Sequence, residues 1–400
     1  MKNALKHFQS SVNRRLIQIM AWCFLLPASQ SVFSKPLIIT GIQVITTPTV
    51  YSNATLDLSH GAFLITKNAT LTIVNSSIKG TLSPENPRLF TVSDGGLTLS
   101  DSHIDVTSEN ISPSPRTPPQ YSVISVLRGQ LSLSDNEFST NRLFTAGLLV
   151  TGSSPTSGMN IIRNVITNFH GGILLMNSSN DIISDNTFSN VSSGNIYIRY
   201  GHNIALSKNT ILFSGNNDVG DSFDIIDSDS INITDNHIFS GTCYSIFIMR
   251  SRNIFIGQNS VSGGITYAVF ISDSPNLDNL QKTYLLGMER LFPGAPASQG
   301  NRNITITQNY LSQNRFGLAA TSVHSLTVTD NQFIQRFDDA QSRKFWTNND
   351  VLLKNILNLK WKDNLYKEAF TQDATGSNHD SFTFIPYPEH NGIQFEQHKV

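Results

Sequence analysis

An asparagine returns at a nearly fixed interval along this chain, and that regularity limits the fold more than any other feature. Units of the form Asp or another polar residue, then Asn, any residue and an apolar one recur at Asn136, Asn164, Asn186, Asn209, Asn236, Asn259, Asn309 and Asn331. The gaps are 28, 22, 23, 27, 23, 50 and 22 residues, so six of the seven fit one period with small loop insertions. Between these asparagines the chain alternates apolar and polar, as in Asn203-Ile204-Ala205-Leu206 and Asn253-Ile254-Phe255-Ile256, which reads as short strands with one face buried. A second apolar pair stands 13 and 11 residues before the key Asn, at Ile173/Leu175, Ile196/Ile198, Phe223/Ile225, Ile246/Ile248 and Leu318/Ala320. A repeat of roughly this length with two or three short strands and no amphipathic helix excludes a propeller blade, which needs about 40 to 50 residues. It also lacks the leucine frame of a leucine-rich repeat. The expectation is an all-β, single-stranded, right-handed parallel β-helix in which each period is one rung.

Equal positions of neighbouring rungs then stack roughly 4.7 to 4.9 Å apart. A column of inward-turned Asn side chains can hydrogen-bond along the axis, as amide ladders do in stacked strands. This accounts for 39 Asn in a 400-residue chain of which only 14% is charged. Ser76 and Ser102 take the Asn place in earlier rungs and Asn364 closes the series, giving eleven or twelve rungs over residues 51–366. Residues 35–50, with Leu37 to Ile45, read as an amino-terminal cap, and 367–400 as a carboxy-terminal tail folded back on the coil. Three stretches break the period: the proline-rich run 111–120, the segment 214–222, and an insertion near 277–302. Insertions in solenoids map to one face, often the binding face.

Residues 1–34 read as a signal peptide, with Lys2, Lys6, Arg14 and Arg15 ahead of the apolar run 16–26 and small residues following. A bacterial protein exported to the periplasm or beyond the cell is expected, without a membrane span after cleavage. The two Cys, Cys23 and Cys243, exclude a disulfide framework. A net charge of -1 argues against a nucleic-acid partner, and a monomer is expected.

Aligning rungs on the key Asn concentrates scarce charge. Nine places before it come Asn177, Tyr200, Asp227, Arg250, Asp273 and Ser322; seven places before it come Ser179, His202, Asp229, Arg252, Pro275 and His324. At twelve, on the solvent side of the strand, lie Leu174, Tyr197, Asp224, Phe247, Phe270 and Ala319, and Arg199 stands at ten. Two readings of this column stand side by side. One is an Asp/Arg ladder that ties corners together. The other is a site for an anionic polysaccharide: Arg250 and Arg252 neutralise sugar carboxylates, and Tyr197, Phe247 and Phe270 offer stacking surfaces. Arg199, Asp224, Asp227, Asp229 and Asp273 would bind substrate, and His202 or Tyr200 would exchange a proton. No cofactor is required, although Asp221, Asp224, Asp227 and Asp229 together are of the type that can hold Ca²⁺.

Over roughly residues 50–366 the rungs resemble the pectate-lyase-like superfamily of right-handed β-helices, with carbohydrate-binding and sugar-hydrolysis type repeats. Exported alginate (mannuronan) C5-epimerases look similar in leader, rung length and repeat style. Their Asp-Pro-His-Asp motif is replaced here, in Tyr244-Ser245-Ile246-Phe247-Ile248-Met249-Arg250-Ser251, by apolar residues. Polygalacturonase-like hydrolases are similar in fold, and Gly220-Asp221-Ser222-Phe223-Asp224 is a faint echo of their paired Asp. The resemblance implies a carbohydrate-active protein, either a lyase or epimerase acting by loss of the C5 proton of a uronate, or a non-catalytic glycan-binding or surface β-helix.

Overall fold

The computed structural model describes residues 35–108, 121–140, 145–152, 156–192, 194–212, 221–239, 244–264, 266–272, 300–314, 316–334, 351–366, 382–386 and 394–395. The leader, the proline-rich run 111–120, most of the 214–222 and 277–302 segments and Asp273 lie outside the described residues. Among those described, every strand pairing is parallel, and each strand pairs with its equivalent one rung away. One rung shows the plan. Gly194–Arg199 lies in a first sheet, His202–Ser207 in a second and Thr210–Leu212 in a third, with two-residue corners between.

The asparagine column is the ladder that the spacing demands. Asn209 donates from Nδ2 to Asn236 Oδ1 at 3.0 Å and to Ile183 O at 2.9 Å, while its backbone N–H reaches the same Oδ1 at 2.9 Å. The pattern runs from Asn136 to Asn364, and Ser76 and Ser102 carry it further towards the amino terminus through their hydroxyls. The ladder amides are fully buried, and each finds both donor and acceptor partners, as buried polar groups must. The geometry originates in the residue just before. From Asn53 to Asp363, twelve such residues hold φ between 48° and 60°, a left-handed corner for which Asn and Asp are enriched.

A second corner, unread in the sequence, repeats the device. Asn177, Tyr200, Asp227, Arg250 and Ser322 all hold φ between 47° and 55°. The following residue donates along the axis: Gly201 N to Ser228 Oγ, Ser228 N to Ser251 Oγ and Ser251 N to Asn301 Oδ1, each 3.0 Å. The apolar pairs Ile196/Ile198, Phe223/Ile225 and Ile246/Ile248 fill the interior between the corners.

Two segments take other places than the sequence suggested. Leu37–Ile45 pairs in parallel with Thr55–Ile65, so it is the first strand of the coil and not a lid over it. Within 367–400, strands Phe382–Pro386 and Gln394–Phe395 pair in parallel with Val351–Lys362 and so continue the coil. Main-chain bonding drives both, because an exposed edge is left open by a loop and satisfied by a further strand.

Asp181 breaks the interior pattern. It occupies the column that later rungs fill with Ile204, Ile231, Ile254, Ile304 and Leu326. Its carboxyl accepts from Met159 N at 2.9 Å and from Ser178 Oγ. Burial outweighs those bonds and pushes its pKa up to about 6.

Two outcomes are expected. Asn236→Ala strands the N–H and Nδ2 of Asn209, and should cost about 2 to 5 kcal/mol in urea unfolding; Asn236→Ser, the residue type used at Ser102, should recover part of it. Because the folded pKa of Asp181 lies above its unfolded value, the native state binds the extra proton between about pH 4 and 6. Stability should therefore fall by about 3 kcal/mol as pH rises through that window. Asp181→Asn should flatten that part of the stability profile.

Candidate functional site

The outer face of the first sheet carries an aromatic run. Positions fifteen and twelve before the ladder Asn, three apart, both point outward at the start of the strand. In successive rungs they hold Gly194 and Tyr197, Asp221 and Asp224, Tyr244 and Phe247, then Tyr267 and Phe270. Rung stacking makes one ladder of rings. Tyr244 lies 5.6 Å from Phe247 and 4.5 Å from Phe270, Tyr267 lies 5.5 Å from Phe270 and 4.7 Å from Phe316, and all are near parallel. Tyr244, Tyr267 and Phe270 remain partly exposed.

The run ends on a pair of carboxyls. Asp221 accepts from Tyr244 N at 2.8 Å and shares a side-chain hydrogen bond with Asp224. Desolvation first, then the charge and the hydrogen bond of Asp221, hold the pKa of Asp224 well above the ordinary carboxylate range. Asp224 is itself partly open. On the rung before, Gly194 has no side chain, and a Cβ there would sit 3.8 Å from Asp224 Oδ2. Aromatic rings on one side, a glycine on the other and a carboxyl with a raised pKa between them make a notch.

At the far end of the same strands an ion cluster closes the corner. Asp227 takes both Nε and Nη2 of Arg250, each at 2.7 Å, and Nε of Arg199 at 3.3 Å. The side chains of Arg199 and Asp227 are 3% and 1% exposed, and the Arg199 guanidinium lies 4.8 Å above the ring of Tyr200. Between cluster and notch, Leu174, Met176, Tyr197, Ile226, Phe247 and Met249 form a second apolar cluster outside the main core.

The column foreseen as one site is thus divided by its corner. Tyr197, Arg199, Tyr200, Asp224, Asp227, Phe247, Arg250 and Phe270 belong to the first sheet or its corner. His202, Asp229 and Arg252 begin the second sheet. There Asp229 accepts from Arg252 at 2.9 to 3.0 Å and from Asn253 Nδ2 at 2.8 Å, with His202 Nδ1 at 3.8 Å. Although its partial burial acts the other way, the bonds from Asn253, Ser230 and Arg252 hold the pKa of Asp229 down.

Three expectations change. Tyr197 and Phe247, placed on the solvent side, are 5% and 2% exposed, because the outward positions of these rungs are apolar enough to pack on each other. Arg250 and Arg252 were to neutralise sugar carboxylates, and Asp227 already occupies the fork of Arg250 while Asp229 takes Nε and Nη2 of Arg252. The insertion ends earlier than supposed, so Arg302, not Pro275, stands in register between Arg252 and His324. The sequence reading missed Tyr244 and Tyr267, although their spacing of three from Phe247 and Phe270 was visible. Among the described residues, no three His, Cys, Asp or Glu side chains converge as metal ligands.

Residues 122–281 match the family described as "Right handed beta helix region". No curated protein matches the sequence significantly. Among solved structures, a variant of the periplasmic alginate epimerase AlgG is similar at 12% identity and a TM-score of 0.51, covering 83% of this chain and 85% of that one. The A-module of Azotobacter vinelandii mannuronan C-5 epimerase AlgE6 is similar at 11% identity and TM-score 0.51, covering 82% and 88%. The chain is a right-handed parallel β-helix protein, and its fold is like that of these epimerases.

Replacing Asp227 by Ala leaves Arg199 buried without its carboxylate. Loss of a partner from a buried ion pair typically costs about 3 to 5 kcal/mol, and a fall of that size is expected in the unfolding free energy of Asp227→Ala measured by denaturant titration.

Proposed function

We propose that this chain is an exported carbohydrate-active protein that holds a polysaccharide along the outer face of its first sheet and performs acid–base chemistry on it at Asp221 and Asp224. The observation that carries this reading is the partly exposed aromatic ladder ending on a pair of hydrogen-bonded carboxyls, Asp221 and Asp224. Tyr244, Tyr267 and Phe270 present ring faces and edges to sugar rings. A coupled carboxyl pair can both give and take a proton.

On a uronate the reaction of lyase or epimerase type begins with loss of the C5 proton, which is acidified when the neighbouring carboxylate is neutralised. Asp224, whose pKa is held up by burial and by Asp221, is suited to donate a hydrogen bond to that carboxylate, a task the sequence had given to Arg250 and Arg252. The leader-like segment 1–34 supports export, and among the described residues no helix is long and apolar enough to cross a membrane. The similarity in fold to a protein described as a periplasmic alginate epimerase agrees with the polysaccharide class.

A second reading, a non-catalytic glycan-binding β-helix, has its own support: Arg250 is locked on Asp227, and Tyr244 to Ser251 carries no acid-His motif.

The test is a screen of the chain from residue 35 onward against alginate, polymannuronate, polygalacturonate and neutral glycans. It follows unsaturated-uronate absorbance and C5 inversion by NMR. Turnover is expected on a uronate polymer, with Asp224→Asn reducing it at least about 100-fold while binding persists. Binding without turnover on every polymer would assign the second reading, and loss of binding in Tyr244→Ala would place the glycan on the aromatic ladder in either case.

A further inference from the structure

The second sheet carries its own cationic and aromatic surface, distinct from the notch. Arg252 and Arg302 stand in register on adjacent rungs, with His202 and His324 further along the same column. All four side chains are exposed, and Asp229 is the acid among them. Arg302 has no ion-pair partner among the described residues. Like charges placed side by side on paired strands repel; Asp229 compensates Arg252 only, so Arg302 beside it favours a bound anion. Three residues beyond Arg252, Phe255 faces outward and is 36% exposed. Its ring lies across Gly257: a Cβ at Gly257 would meet Phe255 Cε1 at 2.5 Å and Cζ at 2.8 Å. Glycine at that outward position lets the ring lie flat on the sheet and turn one face to solvent. The rung on one side presents Asn232 and that on the other Thr305, both polar and small enough to leave that face uncovered.

We infer that Phe255, Arg252 and Arg302 form a second carbohydrate site, on the second sheet, which takes an acidic sugar residue of a polysaccharide. A sugar ring of the polymer stacks on the Phe255 face, and a carboxylate along the same polymer is received by Arg302, whose planar fork suits a bidentate anion, together with the N–H groups of Arg252 that do not face Asp229. The amides of Asn253 and Asn303, joined at 3.1 Å along the column beside the arginines, border the same place. This inference rests on the polysaccharide reading above and adds to it a preference for charged polymers at a point away from the acid–base pair.

The experiment measures binding of alginate, and of dextran as the neutral control, by isothermal titration at low and moderate salt. It compares wild type, Arg302→Ala, the double variant Arg252→Ala/Arg302→Ala, Phe255→Ala, and Tyr244→Ala as the reporter of the first-sheet site. Arg302→Ala disturbs no ion pair among the described residues, and so separates binding from folding. Expected are tighter binding of alginate than of dextran, a loss of about tenfold in alginate affinity in the double variant and in Phe255→Ala, and a weaker salt dependence in both arginine variants. Wild-type alginate affinity and salt dependence in the arginine variants would overturn the inference. If Tyr244→Ala still weakens binding, that result leaves the first-sheet reading standing. Absence of binding to either polymer by wild type would overturn both.

Discussion

The amide-to-amide hydrogen bond between rungs is the constraint on which the rest depends. A left-handed corner turns the chain out of one strand and leaves the next N–H aimed along the axis. A short side chain with an acceptor at the right reach, Asn or Ser and once Asp, meets it from the following rung. Once that column is fixed, every other position acquires a fixed neighbour one rung away. The interior fills with Ile, Val, Leu and Phe, and outward positions become columns of stacked side chains. Both the notch and the surface around Phe255 follow from this register.

The same geometry explains why charge and aromatic rings appear where they do. Two adjacent residues at a corner point into different sheets, so Arg250 and Arg252, two apart in sequence, serve different neighbourhoods: one closes a buried cluster with Asp227, the other pairs at the surface with Asp229. Tyr200 and Arg250 adopt a left-handed conformation that other rungs give to Asn, Asp or Ser. That conformation is costly for bulky residues, and the Arg199–Asp227–Arg250 cluster around them holds it in place.

The fold was legible because a repeat reports stacking directly: the spacing of Asn136 to Asn331 already contained the ladder, and Ser76 and Ser102 its extension. The column residues His202, Asp229, Arg250 and Arg252 were also placed on the right rungs. Which side of a corner each faces was not legible, since that depends on φ at Asp227 and Arg250 and not on spacing. The length of the insertion hid Arg302, because counting back from Asn309 cannot say where inserted residues leave and rejoin the rung. The coupling of Asp221 with Asp224 was hidden for a third reason. It needs the desolvation supplied by Tyr244, Phe247 and the neighbouring rungs, which no local pattern records.

The ladder also has a direction. Every Asn Nδ2 donates to the Oδ1 of the following rung, from Asn136 through Asn331, and none of these bonds runs the other way. Each rung is therefore interchangeable with its neighbour in bonding terms, while a fragment of a rung is not. Such a chain can gain or lose length by duplication or deletion of whole coils, and the segment between two ladder positions can absorb loops of any size, as the gaps from 22 to 50 residues show. Variation in this architecture is quantised along the axis and unrestricted around the rim, so new binding surfaces can be added at the corners without disturbing what holds the coil together.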